Sequence, residues 1–154
     1  MSSAAARKRV ASTVLFTDTH GRVLVVDPTY KPSFEPPCGV VEAGESPRCA
    51  ARREIAEELG LDHEPGQLLA LDYVPARAER TEGVIVVFDG GTLDPSFTPR
   101  LPPDELRGFA FVEPSRLSAF LPGLQTRRAH AALAARERGH AVYLEDGHPV
   151  STSS

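Results

Sequence analysis

Three glutamates stand close together near the end of one segment. Glu54, Glu57 and Glu58 lie in "REIAEELG", which closes with Gly60. In an α-helix, which turns about 100° per residue, their side chains would fall within an arc of about 100° on one face. Like charges three or four residues apart repel one another, and the C-terminal end of a helix disfavours negative charge. Helix stability alone therefore gives no reason for this arrangement.

A bound divalent cation would relieve the repulsion among the three carboxylates. Mg²⁺ prefers oxygen ligands and usually shares its coordination with water and substrate phosphates. An ordinary solvent-exposed acidic face that tolerates small repulsions is the alternative. Residue types and spacing alone leave both interpretations open.

The helix that carries these acids is predicted from Pro47 to Leu59. Ser46 is a suitable N-cap, and proline fits the first helical position. Gly60 fits the position just past the C-terminal end. Ile55 and Leu59, four residues apart, form an adjoining stripe that can pack against a core. The helix is thus expected to bury one side and to present the carboxylates on another.

The remaining segments predict a mixture of strands and helices. The first two strands should form a hairpin, and a Pro-rich loop should lead from them to the helix. Strands are predicted at 9–18, 22–27, 68–76, 83–91 and 106–113, the loop at 28–39, helices at 114–121 and 125–139, and a terminal strand or hairpin at 141–150. Such a mixture in one compact chain predicts an α/β or α+β sandwich, in which helices cover a mixed sheet.

Length and charge restrict the class of protein. The 154 residues fit one domain, expected at 9–150, with disordered ends at 1–8 and 151–154. A net charge of -4 argues against a nucleic-acid polymer or a membrane surface as partner. No segment approaches the roughly 18 apolar residues that a membrane span needs. We expect a monomer or homodimer that acts on a small molecule.

The two cysteines, Cys38 and Cys49, show no spacing typical of metal ligands. They are expected to be free thiols in a reducing compartment, which predicts a cytoplasmic protein.

The segment from Gly39 to Leu61 resembles the complete box of the Nudix hydrolase family, to which MutT-like proteins belong. Every fixed position is filled: Gly39, Glu45, Arg53, Glu54, Ile55, Glu57, Glu58, Gly60 and Leu61. One departure precedes the box, where the family commonly has glycine and this chain has Cys38.

The resemblance implies an α/β/α sandwich with a mixed central sheet. It also implies hydrolysis of a pyrophosphate bond in a nucleoside diphosphate linked to another group, with Mg²⁺ or Mn²⁺ as cofactor. The choice of substrate stays open among ADP-ribose or nucleotide sugars, (deoxy)nucleoside triphosphates and dinucleoside polyphosphates. The alternative is a Nudix-fold sensor that binds a nucleotide metabolite without cleaving it.

The resemblance also implies roles for individual residues. It assigns metal binding to three box carboxylates and to the carbonyl before the first box glycine: Glu54, Glu57, Glu58 and Cys38. Glu57 and Arg53 are further assigned to catalysis, and Arg53 would orient a glutamate through an ion pair. Glu45 would support the loop or share an outer metal contact. Gly39 and Gly60 would serve backbone turns.

Candidates outside the box are less specific. Glu105, in a loop before a strand, could complete the metal site or act as the general base, and Glu79 and Glu82 are its rivals. Each could equally be an ordinary solvated loop acid.

Substrate contacts are predicted from three aromatic residues and two arginines. Tyr30, Phe34 and Tyr73 could stack on a base. Arg77 and Arg80 could bind a phosphate. Core packing for the aromatic rings and simple exposure for the arginines are the alternatives.

Overall fold

The computed structural model describes residues 4–151, which form a mixed sheet with helices on both faces. The strands are β1 Arg9–Thr17, β2 Val23–Pro28, β3 Cys38–Val40, β4 Leu68–Val74, β5 Gly83–Thr92, β6 Leu106–Val112, β7 Val142–Glu145 and β8 His148–Pro149. The helices are α1 Pro47–Leu59, a 3-10 helix Pro114–Ala119 and α2 Gly123–Arg138.

The strands form one sheet in the order β6-β2-β1-β5-β4-β7-β8, and β3 pairs with β1 beside this path. The β1–β5 and β4–β7 pairs are parallel, and the remaining pairs are antiparallel. α1 and α2 pack on separate hydrophobic clusters, one on each face of the sheet. The predicted α/β/α sandwich with a mixed central sheet is confirmed.

The alternation of side chains along β2 shows how the sheet serves both clusters. Val23 and Val25 join the cluster on the α2 side, whereas Leu24 and Val26 join the cluster on the α1 side. Successive side chains of a strand point to opposite faces, so a strand with four consecutive apolar residues is buried on both. Because β2 is buried on both faces, the sheet is a stable support on which α1 packs.

β1 and β2 form the expected hairpin, but they pair only next to their connecting turn. Farther along, the Pro-rich segment bonds both strands. Glu35 exchanges two backbone hydrogen bonds with Val26 of β2, at 2.7 and 2.9 Å, and the Pro37 carbonyl accepts one from Val14 of β1, at 3.1 Å. The segment therefore enters the space between the strands and ends in β3, a strand that the sequence did not predict.

Two other boundaries differ from the prediction. The segment predicted as a helix at 114–121 forms only a 3-10 helix, and Pro122 follows it closely. Proline cannot donate the backbone hydrogen bond that a continuing helix needs. α2 begins at Gly123 rather than Gln125 and ends, as predicted, before Gly139, which has a φ of 80°. The terminal hairpin is confirmed as β7 and β8.

The ends of the chain are described only in part. Residues 4–8 form no helix or strand, and the Lys8 ammonium lies 2.6 Å from a Glu82 carboxylate oxygen. The disorder expected at the extreme ends falls on 1–3 and 152–154, which lie outside the described residues. Across the described part of the chain, neither α-helix is long and apolar enough to cross a membrane.

Candidate active site

α1 begins and ends where the sequence indicates. The Ser46 hydroxyl accepts a hydrogen bond from the Cys49 amide at 3.1 Å, which caps the first turn. Gly60 adopts a φ of 68°, a left-handed conformation that favours glycine, and its amide bonds the Ala56 carbonyl at 3.0 Å. These two ends fix the rotation of the helix and hence the direction of each glutamate.

The three glutamates of α1 differ in exposure in the order that helix geometry dictates. Ile55 and Leu59 are fully buried against the sheet. At about 100° per residue, Glu58 lies nearest to Ile55, Glu54 next and Glu57 farthest away. The side chain of Glu57 is 56% exposed and that of Glu54 16%, whereas Glu58 is buried. The three carboxylates thus extend from solvent into the interior. The sequence predicted that all three would be presented away from the buried side of the helix, but only Glu57 is open to water.

Arg53 ties the loop before α1 to the carboxylates on α1. Its guanidinium donates to both carboxylate oxygens of Glu45, at 2.8 and 2.9 Å, and to Oε1 of Glu54, at 2.7 Å. It also donates to the Val40 carbonyl at 3.2 Å and lies 3.5 Å from Oε2 of Glu57. These charge-assisted bonds to Arg53 lower the pKa of Glu45 to about 2. Arg53 therefore holds the loop and Glu54 in one fixed arrangement.

Gly39 is required by the close approach of Glu54 to the backbone of β3. A Cβ atom at position 39 would lie 2.1 Å from the Glu54 carboxyl carbon. Any larger side chain would displace that carboxylate. The glycine is thus explained by packing against the proposed site, and it lies in the middle of β3 rather than in the turn it was expected to serve.

The Glu58 carboxylate is buried without full compensation. Oε2 of Glu58 has no hydrogen-bond partner within residues 4–151. Burial, followed by the charges of the nearby Glu54, Glu35 and Glu105 carboxylates, raises the pKa of Glu58 to about 9, whereas the Cys38 backbone N–H opposes the shift. Burial also raises the pKa of Glu54, against the effect of Arg53. An unpaired acid of this kind requires either a proton or a cation.

Glu105 lies beside this group although it comes from a distant loop. Its carbonyl accepts a hydrogen bond from the Thr29 amide at 2.8 Å, which holds the loop before β6 against the end of β2. Its carboxylate contributes to the raised pKa values of Glu54 and Glu58. Its rival Glu82 instead bonds Lys8 and Tyr73. The structure therefore brings Glu105, and not Glu82, to the box carboxylates.

Glu35 belongs to the same group and was missed by the sequence analysis. It is 3% exposed, and Lys31 donates to its Oε2 at 2.9 Å. Its carboxylate contributes to the raised pKa of Glu58. The available signal was a single acid within the otherwise uncharged stretch 32–41, preceded by a lysine. The sequence could not show that this acid is buried, because its burial depends on the segment entering between β1 and β2.

The predicted substrate residues lie in different surroundings. Tyr30 is 68% exposed, and partial burial of its hydroxyl, followed by the charges of Glu35, Cys38, Glu58 and Glu105, raises its pKa to about 12. The hydroxyl is therefore near enough to the carboxylates to feel their charge.

Phe34 packs edge-to-face on Phe120, with ring centroids 5.3 Å apart, against the α2-side cluster. Arg77 forms an ion pair with Asp146, and its backbone pairs with that of Arg80. The structure thus places Tyr30 at the carboxylates and gives Phe34 and Arg77 packing and ion-pair partners elsewhere.

The donor atoms of the site suit a hard divalent cation. Carboxylate oxygens dominate the group, and the unpaired Oε2 of Glu58 points to a missing positive partner. Within the described residues, no three His, Cys, Asp or Glu side chains already surround one point as metal ligands. The chemistry of the donors fits Mg²⁺ or Mn²⁺.

Comparison with known families decides the membership of the chain. The family model of the NUDIX domain matches residues 7–134. The chain belongs to the NUDIX family. Membership assigns this Nudix protein the general activity of a hydrolase that cleaves pyrophosphate bonds, and it confirms the resemblance carried by the box.

Solved structures support the same fold. A MutT NUDIX hydrolase from Burkholderia pseudomallei is 25% identical, with a TM-score of 0.66, over 84% of this chain and 98% of that one. A UDP-X diphosphatase is 19% identical, with a TM-score of 0.73, over 92% of this chain and 69% of that one. An ADP-ribose pyrophosphatase from Streptococcus suis is 16% identical, with a TM-score of 0.65, over 90% of this chain and 99% of that one. No curated protein sequence matches the chain.

The raised pKa of Glu58 predicts a pH-dependent stability of the metal-free protein. The folded state holds a proton on Glu58 up to about pH 9, whereas the unfolded chain releases it near the usual 4.5. The free energy of unfolding should therefore fall as pH rises between these values, by up to about 1.4 kcal/mol per pH unit. Urea unfolding in EDTA at pH 6, 7 and 8 should show this slope, and Glu58→Gln should remove it.

The exposed Glu57 supplies the control for this measurement. Glu57→Gln should retain the wild-type slope because its carboxylate is open to water. Equal slopes in wild type and Glu58→Gln would show that Glu58 is not protonated in the folded protein at neutral pH.

Proposed function

We propose that this Nudix protein catalyses divalent-metal-dependent hydrolysis of the pyrophosphate bond in a nucleoside diphosphate linked to another group. The observation that carries the proposal is the unpaired, buried Glu58 carboxylate, which lies among Glu54, Glu35 and Glu105. A group of acids with so little compensation is costly for a fold and useful for binding a cation.

Mg²⁺ or Mn²⁺, when bound, would neutralise the charge of the diphosphate and lower the pKa of a coordinated water. We propose the following ligands for it: Glu54, Glu57, Glu58 and the Cys38 carbonyl. Arg53 holds Glu54 against Gly39 and keeps the loop in place through Glu45. The chain thus supplies a rigid carboxylate frame, which limits the reorganisation needed during the reaction.

A proton must leave the attacking water, and Glu105 is our proposed acceptor. It lies on a loop that joins the site from outside the box, so its carboxylate can face the substrate rather than the helix. Glu57 is the alternative acceptor because its side chain is the most exposed of the three box acids. The two assignments differ in whether substitution at position 105 affects turnover.

The proposed substrate is a small nucleotide derivative. The resemblance to a UDP-X diphosphatase and an ADP-ribose pyrophosphatase supports nucleotide sugars and ADP-ribose, and (deoxy)nucleoside triphosphates are also proposed. The exposed ring of Tyr30 beside the carboxylates is our main candidate for contacting the base. Phe34, Arg77 and Arg80 are also proposed to contact the substrate, which requires the release of their present contacts or a local movement of the chain.

A hydrolase is favoured over a Nudix-fold sensor that binds a nucleotide without cleaving it, because every acid of the box is present. The free cysteines suit a reducing compartment, and we propose the cytoplasm, with the protein as a monomer or homodimer.

Metal dependence is the first test of this function. Turnover should appear with Mg²⁺ or Mn²⁺ in a panel containing ADP-ribose, UDP-sugars, dinucleoside polyphosphates and (deoxy)nucleoside triphosphates. Chromatography should detect a nucleoside monophosphate and a second phosphorylated product. EDTA should abolish the reaction, and added metal should restore it. Full activity in a chelated sample would refute the proposed role of metal, and tight binding without any cleavage would favour the sensor.

Substitution of Glu105 tests the proposed proton acceptor. Glu105→Gln should lower kcat by roughly 10²–10⁴ and change KM much less, because the lost carboxylate acts on the attacking water. The matched control is Glu79→Gln, a loop acid of the same type in the connection between β4 and β5. A kcat near the wild-type value in Glu105→Gln at saturating Mg²⁺ would transfer the role to Glu57.

A further inference from the structure

β6 is an open edge of the sheet. It stands at one end of the strand order, and within residues 4–151 it pairs only with β2. The strand at the opposite edge, β8, has two residues and ends in Pro149. Proline and short length commonly protect an edge strand, because its free N–H and carbonyl groups can otherwise pair with another chain. β6 has seven residues and no proline, so it lacks both protections.

The backbone groups of Phe109 and Phe111 point away from the sheet. Val26 of β2 exchanges two hydrogen bonds with Glu35, so its N–H and carbonyl point away from β6. Val26 lies opposite Phe109, and Leu24, two residues earlier in β2, lies opposite Phe111. In an antiparallel pair, opposite residues that do not bond each other turn their N–H and carbonyl groups outward. Phe109 and Phe111 therefore present these groups to the open side of β6.

The side chains of the same two residues form an aromatic row beside this open backbone. The rings of Phe109 and Phe111 meet edge-to-face, with centroids 6.1 Å apart, and Phe111 packs against the cluster on the α1 side. Phe109 is 39% exposed. On the other face of the strand, Gly108 and Ala110 carry little bulk that could keep a second strand away. The edge thus offers backbone hydrogen bonds and an apolar surface together.

We infer that the open edge of β6 is a dimer interface, at which a second copy of this chain adds its own β6 in antiparallel orientation. Antiparallel pairing of identical strands has two-fold symmetry, which brings the same surface of both copies together. The axis passes between the two Ala110 residues, so Phe109 of each copy lies opposite Phe111 of the other. Each such pair exchanges two backbone hydrogen bonds. This inference goes beyond the proposed function and does not depend on it.

Charge complementarity favours this register over its neighbours. With Ala110 on the axis, Arg107 of each copy lies opposite Glu113 of the other. Glu113 is exposed, and Arg107 keeps 54% of its side chain exposed although it also bonds two backbone carbonyls after β2. With Phe109 on the axis, Glu105 would instead lie opposite Glu113, and like charges in opposite positions repel each other. A shift in the other direction would separate Arg107 from Glu113.

Sedimentation velocity over a range of protein concentrations tests for the dimer. A contact along one strand edge is small, so the wild type should change from monomer to dimer as the concentration rises. Phe109→Lys, which places a charge in the aromatic row, should remove the dimer. Tyr143→Lys is the matched control, because Tyr143 is an exposed aromatic residue on β7, away from this edge. Circular dichroism checks that each variant is folded.

A charge exchange tests the pairing of the two copies. Glu113→Arg should weaken dimerisation about tenfold, because it brings two arginines together at each end of the interface. Arg107→Glu/Glu113→Arg should restore the dimer, since it returns opposite charges to opposite positions. Glu113 is exposed, so this test remains available where Phe109→Lys does not fold.

Disulfide trapping tests the register. In a Cys49→Ser background, Ala110→Cys should give a disulfide-linked dimer on mild oxidation. Opposite residues of an antiparallel pair that do not bond each other lie about 4.5 Å apart at Cα, which is within the range that a disulfide spans. Gly108→Cys is the matched control, because the two copies of residue 108 lie on opposite sides of the axis and are too far apart to link.

Three results would overturn the inference. A monomer at every concentration would show that a second copy does not cover the β6 edge, which would then be open to a strand of another protein. A dimer that Phe109→Lys leaves unchanged would use another surface. Faster linking of Gly108→Cys than of Ala110→Cys would show that the strands do not pair about Ala110.

Discussion

The buried carboxylate of Glu58 is the constraint on which the rest of the site depends. A helix that packs by Ile55 and Leu59 must turn the neighbouring position partly toward the interior. An acid at that position is desolvated and, at Oε2, unpaired. The fold tolerates this cost at a position where the Glu54 and Glu105 carboxylates also act on the pKa of Glu58. Such an arrangement lowers the stability of the fold and suits the binding of a cation. Cation binding is therefore a physical reason for the acids at these positions of the Nudix box.

The surroundings of Glu58 limit where each acid can go. Arg53 holds Glu54 on one side, and the absent side chain of Gly39 leaves room for its carboxylate. The segment between β2 and β3 carries the buried Glu35, whose charge contributes to the raised pKa of Glu58. Arg53 bonds Glu54 and Lys31 bonds Glu35, but neither cation contacts the unpaired oxygen of Glu58. Both ion pairs stabilise the frame, and Oε2 of Glu58 has no hydrogen-bond partner within residues 4–151.

Local rules predicted what depends on local chemistry. The caps at Ser46 and Gly60 gave both ends of α1, and helical periodicity gave the burial of Ile55. The same periodicity also ranks the exposure of the three acids, since Glu58 lies nearest to Ile55 and Glu57 farthest from it. Glu35 and β3 depend on a Pro-rich segment that bonds two diverging strands. That pairing is long-range, and neither periodicity nor turn chemistry in the segment indicates it.

The central claim is that the acids around Glu58 form a binding site for a divalent cation. Anomalous X-ray diffraction from crystals soaked in Mn²⁺ tests it most directly, because the signal locates the metal without any assumption about substrate. The account predicts a peak in direct contact with the Glu58 and Glu54 carboxylates, at about 2.0–2.3 Å from their oxygens. A peak bound elsewhere, or an occupied site that leaves Glu58 without contact to metal, would contradict it.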